Sequence, residues 1–566
     1  MQHELGKIVW LTGETEAAPP CPVCGDDRPK TQVLETASLI EVQKTDPIRI
    51  VECPRCHTRY CTDLDVFEYE LGANYHWSAR FYVEQGASLD DLIDPIARLP
   101  EGGIESCLEI GCGFGFSLDA GRTLFGWRSV GVDPSPLARF GREALDIDIR
   151  PIYADVDTEL GGPFDLVYGS EVIEHVAAPR DFLKICRAHL IPGGTLILST
   201  PRGDVLGPDL SPALLMPILS PGHHLILFNA QSLDELVRTA GFTHTQVVVR
   251  AHNLMIYASD RPLAIDASKP LDRALYRSYL TAVLAKPGRP PELRTGLTYR
   301  LFKDLVNSGL YDQALPVFED VVRDCRDRFG MELSPAAAEA AGAKIRKLEF
   351  DAPFCLPGIY FFRGIVALNA SPDPGEAAAW FDAAQVAAQA FRAAYRTVGI
   401  DDGETGEIER LAPELALLGL CHSDPDTAVN RARRMAGKGT RLDTMFCRLV
   451  DLGHMRQAEM VEWAVDDNEG WHVTSRRAML ALLGSKDGRR AAALFGQALA
   501  DPAAIPADER WRLEYHRILA LITAGDGQGA RRVASEMLAA GDSVPANIRE
   551  LLDKLLGDHP TIRPAR

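Results

Sequence analysis

Between Cys107 and Gly115 the chain reads Cys-Leu-Glu-Ile-Gly-Cys-Gly-Phe-Gly, and an acid, Asp133, follows eighteen residues after the last glycine. Glycines at 111, 113 and 115 let a backbone turn approach a ligand closely, because no side chain stands in the way. A carboxylate at the tip of the next strand can accept hydrogen bonds from a ribose diol. A nicotinamide dinucleotide site would ask for G-x-G-x-x-G with glycine at position 116, and position 116 is Phe. Nearer the amino terminus lie two C-P-x-C pairs, Cys21/Cys24 and Cys53/Cys56, with 28 residues between them. Two such pairs supply four thiolates for a tetrahedral Zn²⁺, the closed geometry of a structural site. A disulfide framework is the alternative; it suits a small secreted domain, and Met1–Leu5 lacks the charged and apolar regions of a secretory leader. Cys61 and His57 are the substitute ligands.

These residues need elements to hold them. Cys107–Ile110 reads as a buried strand that runs into the glycine turn and a helix start, and Arg128–Val132 reads as a second strand ending at Asp133. Ile149–Tyr153 reads as a third, ending at Ala154-Asp155-Val156. Phe164–Ser170 is a fourth, followed by Glu171-Val172-Ile173-Glu174-His175-Val176. Pro192-Gly193-Gly194 turns into the fifth, Thr195–Thr200. Strands alternating with helices at this spacing predict right-handed βαβ units and a parallel sheet, with a ligand outside the carboxyl ends of its strands. Around the cysteine pairs, Val33–Val42 and Ile48–Val51 are strand-like, so a zinc ribbon is the expected fold for residues 1–70.

The pattern E-x-G-x-G-x-G resembles the first motif of class I S-adenosylmethionine (SAM) dependent methyltransferases. Residues 101–262 resemble that fold along their whole length, and E-V-I-E-H-V is similar to the segment found in quinone-biosynthesis O-methyltransferases. The resemblance implies a Rossmann-like α/β sheet of seven mostly parallel strands. It also implies roles. Glu109 and the turn Gly111, Cys112, Gly113, Phe114 and Gly115 would hold the methionine part of SAM. Asp133 would take the ribose hydroxyls. Asp155 would bond the adenine amino group, with Pro134 and Val156 near the ring. Ser170 and Glu171 would line the floor below the sulfonium. An ordinary strand-end turn acid is the other reading of Asp133 and Asp155, and Cys112 reads as a small loop filler rather than a nucleophile.

Methyl transfer from a sulfonium is an in-line displacement, so the protein mainly aligns two reactants. A hydroxyl or acidic-carbon acceptor is helped by a base within hydrogen-bond reach. The candidates are Glu174, His175, His223 and His224. The segment Pro221–Leu233 is similar to the family's P-x-H-x-x-x-F-(S/T)-x-x-x-L, in which a His of related sugar methyltransferases faces the acceptor. That favours His224, whereas His175 could equally pack or cap a helix start. A ribbon ahead of such a domain also resembles a group of sugar C-methyltransferases, where it helps cover the acceptor. Tyr75-His76-Trp77-Ser78-Ala79-Arg80-Phe81-Tyr82, within a connector at 71–100, is expected to form either a lid or an amphipathic helix packed on the sheet.

Residues 263–566 are rich in Ala, Leu and Arg with helical apolar spacing. Tyr311–Phe318, Gly375–Asp382 and Arg490–Leu499 resemble second helices of tetratricopeptide units, and Tyr360–Leu368 resembles the helix before one. A degenerate helical-repeat array is expected, with an unrepeated bundle as the alternative; stacked arrays commonly bind protein partners.

Charge excludes a nucleic-acid partner. The chain carries 60 basic and 79 acidic residues, net −19, and residues 1–100 hold nine basic against seventeen acidic; a nucleic-acid surface needs a basic patch. No apolar run reaches the length of a membrane span. With 46% hydrophobic and 25% charged residues, a soluble cytoplasmic protein is expected, from a GC-rich bacterium by its Ala and Arg content. The expected activity is SAM-dependent O- or C-methylation of a small molecule or a sugar or glycan. The alternatives are a scaffold that keeps SAM binding without catalysis, and methylation of a protein acceptor.

Overall fold

The computed structural model describes residues 8–11, 13–15, 18–37, 47–68, 79–100, 102–210, 212–263, 265–266, 268–347, 351–397, 402–435, 442–465 and 470–562. The chain divides into two compact units, one of residues 1–359 with 386–407 and the other of residues 360–385 with 408–566.

The first unit contains two sheets. Its amino-terminal strands are β1 (Val9–Trp10), β2 (Glu14–Thr15), β3 (Lys30–Thr36), β4 (Ile48–Glu52) and β5 (Arg59–Cys61). The following strands are β6 (Ser106–Ile110), β7 (Arg128–Val132), β8 (Asp148–Arg150), β9 (Phe164–Ser170), β10 (Leu190–Pro201), β11 (Ile226–Leu227), β12 (His244–Val249) and β13 (Asn253–Ser259). The ribbon sheet runs β1-β3-β4-β5-β11, with β2 also on β3. Its last strand therefore comes from the far side of the chain: β11 pairs antiparallel with β5, Ile226 opposite Tyr60. Strand β3 ends at Thr36, and most of the expected extension to Val42 lies outside the described residues.

The larger sheet has the order β12-β13-β10-β9-β6-β7-β8. Strands β8, β7, β6, β9 and β10 are parallel. Strand β13 runs antiparallel to both β10 and β12. The seven-stranded, mostly parallel sheet is as expected, with differences at two strands. Strand β10 begins at Leu190, because its register against β9 shifts between Leu190 and Thr195, where Pro192-Gly193-Gly194 form an irregularity rather than a turn before the strand. Strand β8 stops at Arg150, short of Tyr153; Ile152 and Tyr153 point outward.

Both faces of this sheet are covered by apolar cores. One includes Leu108, Val167 and Leu198 beneath Phe182, Leu183, Leu233 and Leu236, and it continues into Cys21, Cys53, Cys56 and Tyr60 of the ribbon. The other joins Phe116, Leu166, Ile197 and Met255 to Ile93, Tyr276, Tyr279, Leu280 and Leu293. Residue 263 is therefore not a packing boundary. The helix Arg273–Leu284 is capped by the Asp272 carboxylate, which accepts from the Ala274 amide at 2.8 Å. It buries Tyr276, Tyr279, Leu280 and Val283, spaced as one helical face, against the sheet's own helix Phe116–Phe125.

The next helix, Pro291–Asn307, carries Arg300, 6% exposed. Its guanidinium donates to the carbonyls of Val83 (2.6 Å), Gln85 (3.0 Å) and Ala87 (2.8 Å). These carbonyls belong to a single wide π turn, Tyr82–Gly86, and the residue after it. A Cβ on Gly296 would stand 2.2 Å from the Val83 carbonyl oxygen, so the close approach requires glycine. Phe81 packs on Phe354 and Tyr395. Tyr75–Ser78 of the expected lid lie outside the described residues.

The described residues of the second unit are helical. Consecutive helices Trp471–Met479, Gly488–Ala498, Ala507–Thr523 and Gly527–Ala539 pack each on the next. Small residues sit at the crossings: a Cβ on Gly488 would lie 2.4 Å from the Ala524 nitrogen, and one on Gly419 2.8 Å from that of Ala378. Among the described residues no helix is long and apolar enough to cross a membrane.

Removing the Arg300 guanidinium strands several buried carbonyls. Arg300→Met is expected to cost about 1–3 kcal/mol of stability and to raise hydrogen exchange of the amides at 82–88 selectively. Exchange unchanged in that segment would contradict the anchoring role.

Candidate active site

Strand β6 delivers Glu109 and Ile110 to the glycine turn. Gly111 has φ +73°, and a Cβ there would stand 2.4 Å from Val172 Cγ2. Gly115 (φ +86°) opens the helix Phe116–Phe125, and its Cβ would meet Ile147 and Ile149 at 2.7 Å. The Gly113 amide donates to Asp133 Oδ2 at 2.8 Å, while Asp133 Oδ1 accepts from the Ser135 amide at 2.8 Å. Asp133 thus clamps the glycine turn to the end of β7. Glu109 is 2% exposed. Its Oε1 accepts from Ser117 Oγ at 2.5 Å, and its Oε2 has no hydrogen-bond partner. Burial pushes the carboxyl up to about 8; the Ser117 hydroxyl opposes this and the Asp133 charge adds to it.

A cavity of about 500 Å³ opens at the carboxyl ends of β6, β9 and β10, where an open α/β sheet binds ligands. Glu109, Gly111, Cys112 and Gly113 form one wall, and Ser170, Glu171, Ser199 and Pro201 the floor. Glu171 has φ +54°, an uncommon conformation for a side-chain-bearing residue. Its carboxyl is open to the cavity but walled by protein. That environment raises it to about 7, against a 3.4 Å hydrogen bond from Ser199. Ser199 in turn lies 2.8 Å from Ser170 Oγ. The remaining walls come from Tyr82, Ser88, Asp91 and Leu92, from Leu214, Pro217 and Ile218, and from His252, Asn253 and Met255.

Six of the anticipated ligand-binding residues therefore face one cavity: Glu109, Gly111, Cys112, Gly113, Ser170 and Glu171. The others do not. Phe114 turns into the core against Phe116, 4.6 Å between ring centroids. Gly115, Asp133 and Pro134 adjoin the turn at the cavity's edge without lining it, Asp133 through its bond from the Gly113 amide. Asp155 and Val156 are exposed, on a connection that has left the sheet. Asp155 Oδ1 accepts from the Asp157 amide (2.9 Å) and Thr158 Oγ1 (2.8 Å), bonds that lower its pKa. Its carbonyl accepts from His189 Nε2 at 2.8 Å, beside the start of β10. The Asp155 carboxylate thus caps its own turn and does not line the cavity.

The four base candidates gather together but do not line the cavity. Glu174 Oε1 lies 3.8 Å from His175 Nε2 and 3.9 Å from His224 Nε2. Burial pushes His175 down to about 3 and His224 to about 4, so both rings are neutral near pH 7. His223 packs edge-on against Phe67 at 4.7 Å. Among the residues that sequence reasoning missed are Ser199, Leu214, Pro217, Ile218 and the His252–Asn253 pair. Asn253 stands opposite Pro201 across β10 and β13, a juxtaposition no local pattern encodes. The apolar run Leu214-Leu215-Met216-Pro217-Ile218-Leu219 was the available signal.

In the ribbon, Cys21 Sγ lies 3.6 Å from Cys56 Sγ and Cys24 Sγ 3.5 Å from Cys53 Sγ. Each pair sits on the same turn: the Gly25 amide bonds the Cys21 carbonyl and the His57 amide bonds that of Cys53, with Gly25 and His57 both at positive φ. These separations are far beyond a sulfur–sulfur bond. A tetrahedron with zinc–sulfur bonds of 2.3 Å has edges of about 3.8 Å, so the four thiols fit such an ion. Cys61 belongs elsewhere: its Sγ reaches the His224 carbonyl at 3.3 Å.

Residues 82–247 match a family model described as a methyltransferase domain. A ubiquinone biosynthesis O-methyltransferase of Caulobacter vibrioides is 38% identical over 114 residues, 19% of this chain and 44% of the relative. One of Roseobacter denitrificans is 41% identical over 99 residues, 16% of this chain and 40% of the relative. The chain thus spans less than half the length of either. An O-methyltransferase family protein of Burkholderia thailandensis aligns in structure at 16% identity and TM-score 0.29, covering 36% of this chain and 66% of that one. The seven-stranded sheet with its glycine turn is a class I SAM-dependent methyltransferase domain.

The folded pKa of Glu109, about 8, stands above the ordinary 4.5. The empty folded protein therefore holds this proton more tightly than the unfolded chain, and the group's contribution to stability falls as pH rises from about 4.5 through 8. Glu109→Gln is expected to raise the melting temperature of the empty protein at pH 9, by about 1–3 kcal/mol in stability, with the difference shrinking toward pH 5. A variant less stable at pH 9 would contradict the buried-charge description.

Proposed function

We propose that this chain methylates a hydroxyl of a small molecule, using SAM held at the glycine turn. The observation that carries the reading is Glu109: a buried carboxylate oxygen without a donor, at a cavity wall where Gly111 and Gly113 leave the backbone bare. SAM fits that demand, because its methionine part offers an ammonium group. The Gly111–Gly113 backbone would lie along the same part. The Asp133 carboxylate, already accepting two amides, keeps lone pairs for ribose hydroxyls. Bound there, SAM supplies a methyl group on a positively charged sulfur.

The chain's own residues then have separate tasks. Leu92, Pro217, Ile218 and Met255 exclude water and favour an acceptor with a flat apolar body over a long glycan. Glu171, with its carboxyl near 7, is placed to take the proton from an acceptor hydroxyl; Ser199 and Ser170 hold it in line. This reading moves the base from the histidines, which do not line the cavity, to Glu171. The O-methyltransferase relatives support a hydroxyl acceptor. We assign a structural Zn²⁺ to Cys21, Cys24, Cys53 and Cys56, where it would fix the ribbon whose edge β11 supplies.

Calorimetry of SAM and S-adenosylhomocysteine with the full chain tests the reading. Binding is expected, weakened in Asp133→Ala by about 1.5–3 kcal/mol through loss of charge-assisted hydrogen bonds. In a screen of phenols and sugars, Glu171→Gln is expected to lower turnover while leaving SAM affinity unchanged. No binding by the natural protein, or unchanged affinity in Asp133→Ala, would overturn the cofactor assignment.

A further inference from the structure

The Glu174, His175 and His224 cluster has no part in the methyl-transfer reading, yet it is built in detail. Glu174 is fully buried. Its Oε2 accepts from Thr200 Oγ1 at 3.0 Å, and its Oε1 has no hydrogen-bond partner. Two imidazoles turn their Nε2 edges toward that oxygen, at 3.8 and 3.9 Å. Their tautomers are fixed from behind: His175 Nδ1 donates to the His223 carbonyl at 3.0 Å, and His224 Nδ1 to that of Ile218 at 2.8 Å. In a neutral ring a protonated Nδ1 leaves the lone pair on Nε2. The rings cross nearly at right angles, 80° apart with centroids at 4.7 Å.

Two nitrogen lone pairs thus converge on a carboxylate oxygen in a buried space. A hydrogen bond does not account for the arrangement, since both distances exceed hydrogen-bond length. An ion about 2.0–2.2 Å from each ligand spans separations of up to about 4 Å, which both carboxylate–imidazole distances meet. Nδ1–H bonds to backbone carbonyls are also the outer support that metal-bound histidines use.

The geometry points to a second metal site, separate from the four cysteines, in which His175 Nε2, His224 Nε2 and Glu174 Oε1 hold a divalent first-row transition ion. Imidazole ligands select such an ion over magnesium or calcium. The two short segments that supply the ligands are already joined, since the Leu225 amide donates to the Glu174 carbonyl at 2.8 Å. The ion would lie one layer from the cavity. Thr200, its contact on β10, sits between Ser199 and Pro201, which face the cavity, and Ile218 lines it directly. The site would lock the wall Pro217–Ile218 and the end of β10 to the turn carrying Glu171.

The test uses the full chain, stripped and reloaded with Co²⁺, with bound metal measured by mass spectrometry and absorbance. Two equivalents are expected, one of them giving the near-ultraviolet thiolate-to-cobalt band of the cysteine cluster. Glu174→Gln and His224→Gln should each lower the count to one while keeping that band, which also reports a folded ribbon. A single, thiolate-bound equivalent in the natural protein, or two in both variants, overturns the proposal. If either variant loses the band as well, the natural protein's stoichiometry and the other variant decide. SAM calorimetry on the same preparations reads the methyltransferase proposal independently.

Discussion

A carboxylate buried at the end of a parallel strand, with only one oxygen hydrogen-bonded, is costly unless a partner arrives, and the rest of the site is arranged around that oxygen of Glu109. The glycine turn that follows keeps side chains out of the space beside it. Asp133, which clamps the turn through the Gly113 amide, places a second carboxyl group nearby. Such a field disfavours an anion and favours a cation, the charge that SAM carries on both its ammonium and its sulfonium. An empty site of this kind stores destabilisation that binding relieves, as strained or underpaired groups at functional sites commonly do.

The walls around this point come from distant parts of the chain. Tyr82 and Ser88 are fixed from outside by Arg300, whose guanidinium gathers the carbonyls of the π turn. A residue far along the sequence therefore sets the shape of the cavity, and the helices from 273 to 307 belong to the methyltransferase unit rather than to a separate tail. The ribbon is joined as firmly. Strand β11 completes its sheet, Arg59 donates to the Gly203 and Leu206 carbonyls, and Asn229 Nδ2 donates to the Cys56 carbonyl. Cys61 and His224 meet beside β11, the strand that the segment after β10 lends to the ribbon sheet, which puts the histidine cluster next to the ribbon.

The parallel sheet was legible because its signals are local: apolar runs, glycines at alternate positions and acids at strand ends. The four cysteines were legible for the same reason, since two knuckles at short spacing suggest a tetrahedral set; the sulfur separations set it apart from a disulfide pairing. At Asp155 the sequence is ambiguous, because an acid after a strand looks the same whether it faces a ligand or caps its own turn; the bonds from Thr158 and Asp157 appear only in the fold. The histidines were found as a group but assigned to the acceptor. Only the fold reveals that Nδ1 of His175 and of His224 is held by a carbonyl and that Nε2 of each points to Glu174. Asn253, Ile218 and Arg300 reach the site through pairings between segments distant in sequence, and no single-sequence pattern carries such pairings.

The most direct test is the number of protons exchanged when SAM binds, obtained by calorimetry in two buffers of different ionisation heat. Glu109, held near 8 when the site is empty, must ionise to meet an ammonium group. Binding at pH 6.5 should therefore release a proton, the release should vanish at pH 9.5, and Glu109→Gln should abolish it at pH 6.5. SAM binding without proton release at pH 6.5, or release that persists in the Gln variant, would contradict the central role given to this carboxylate.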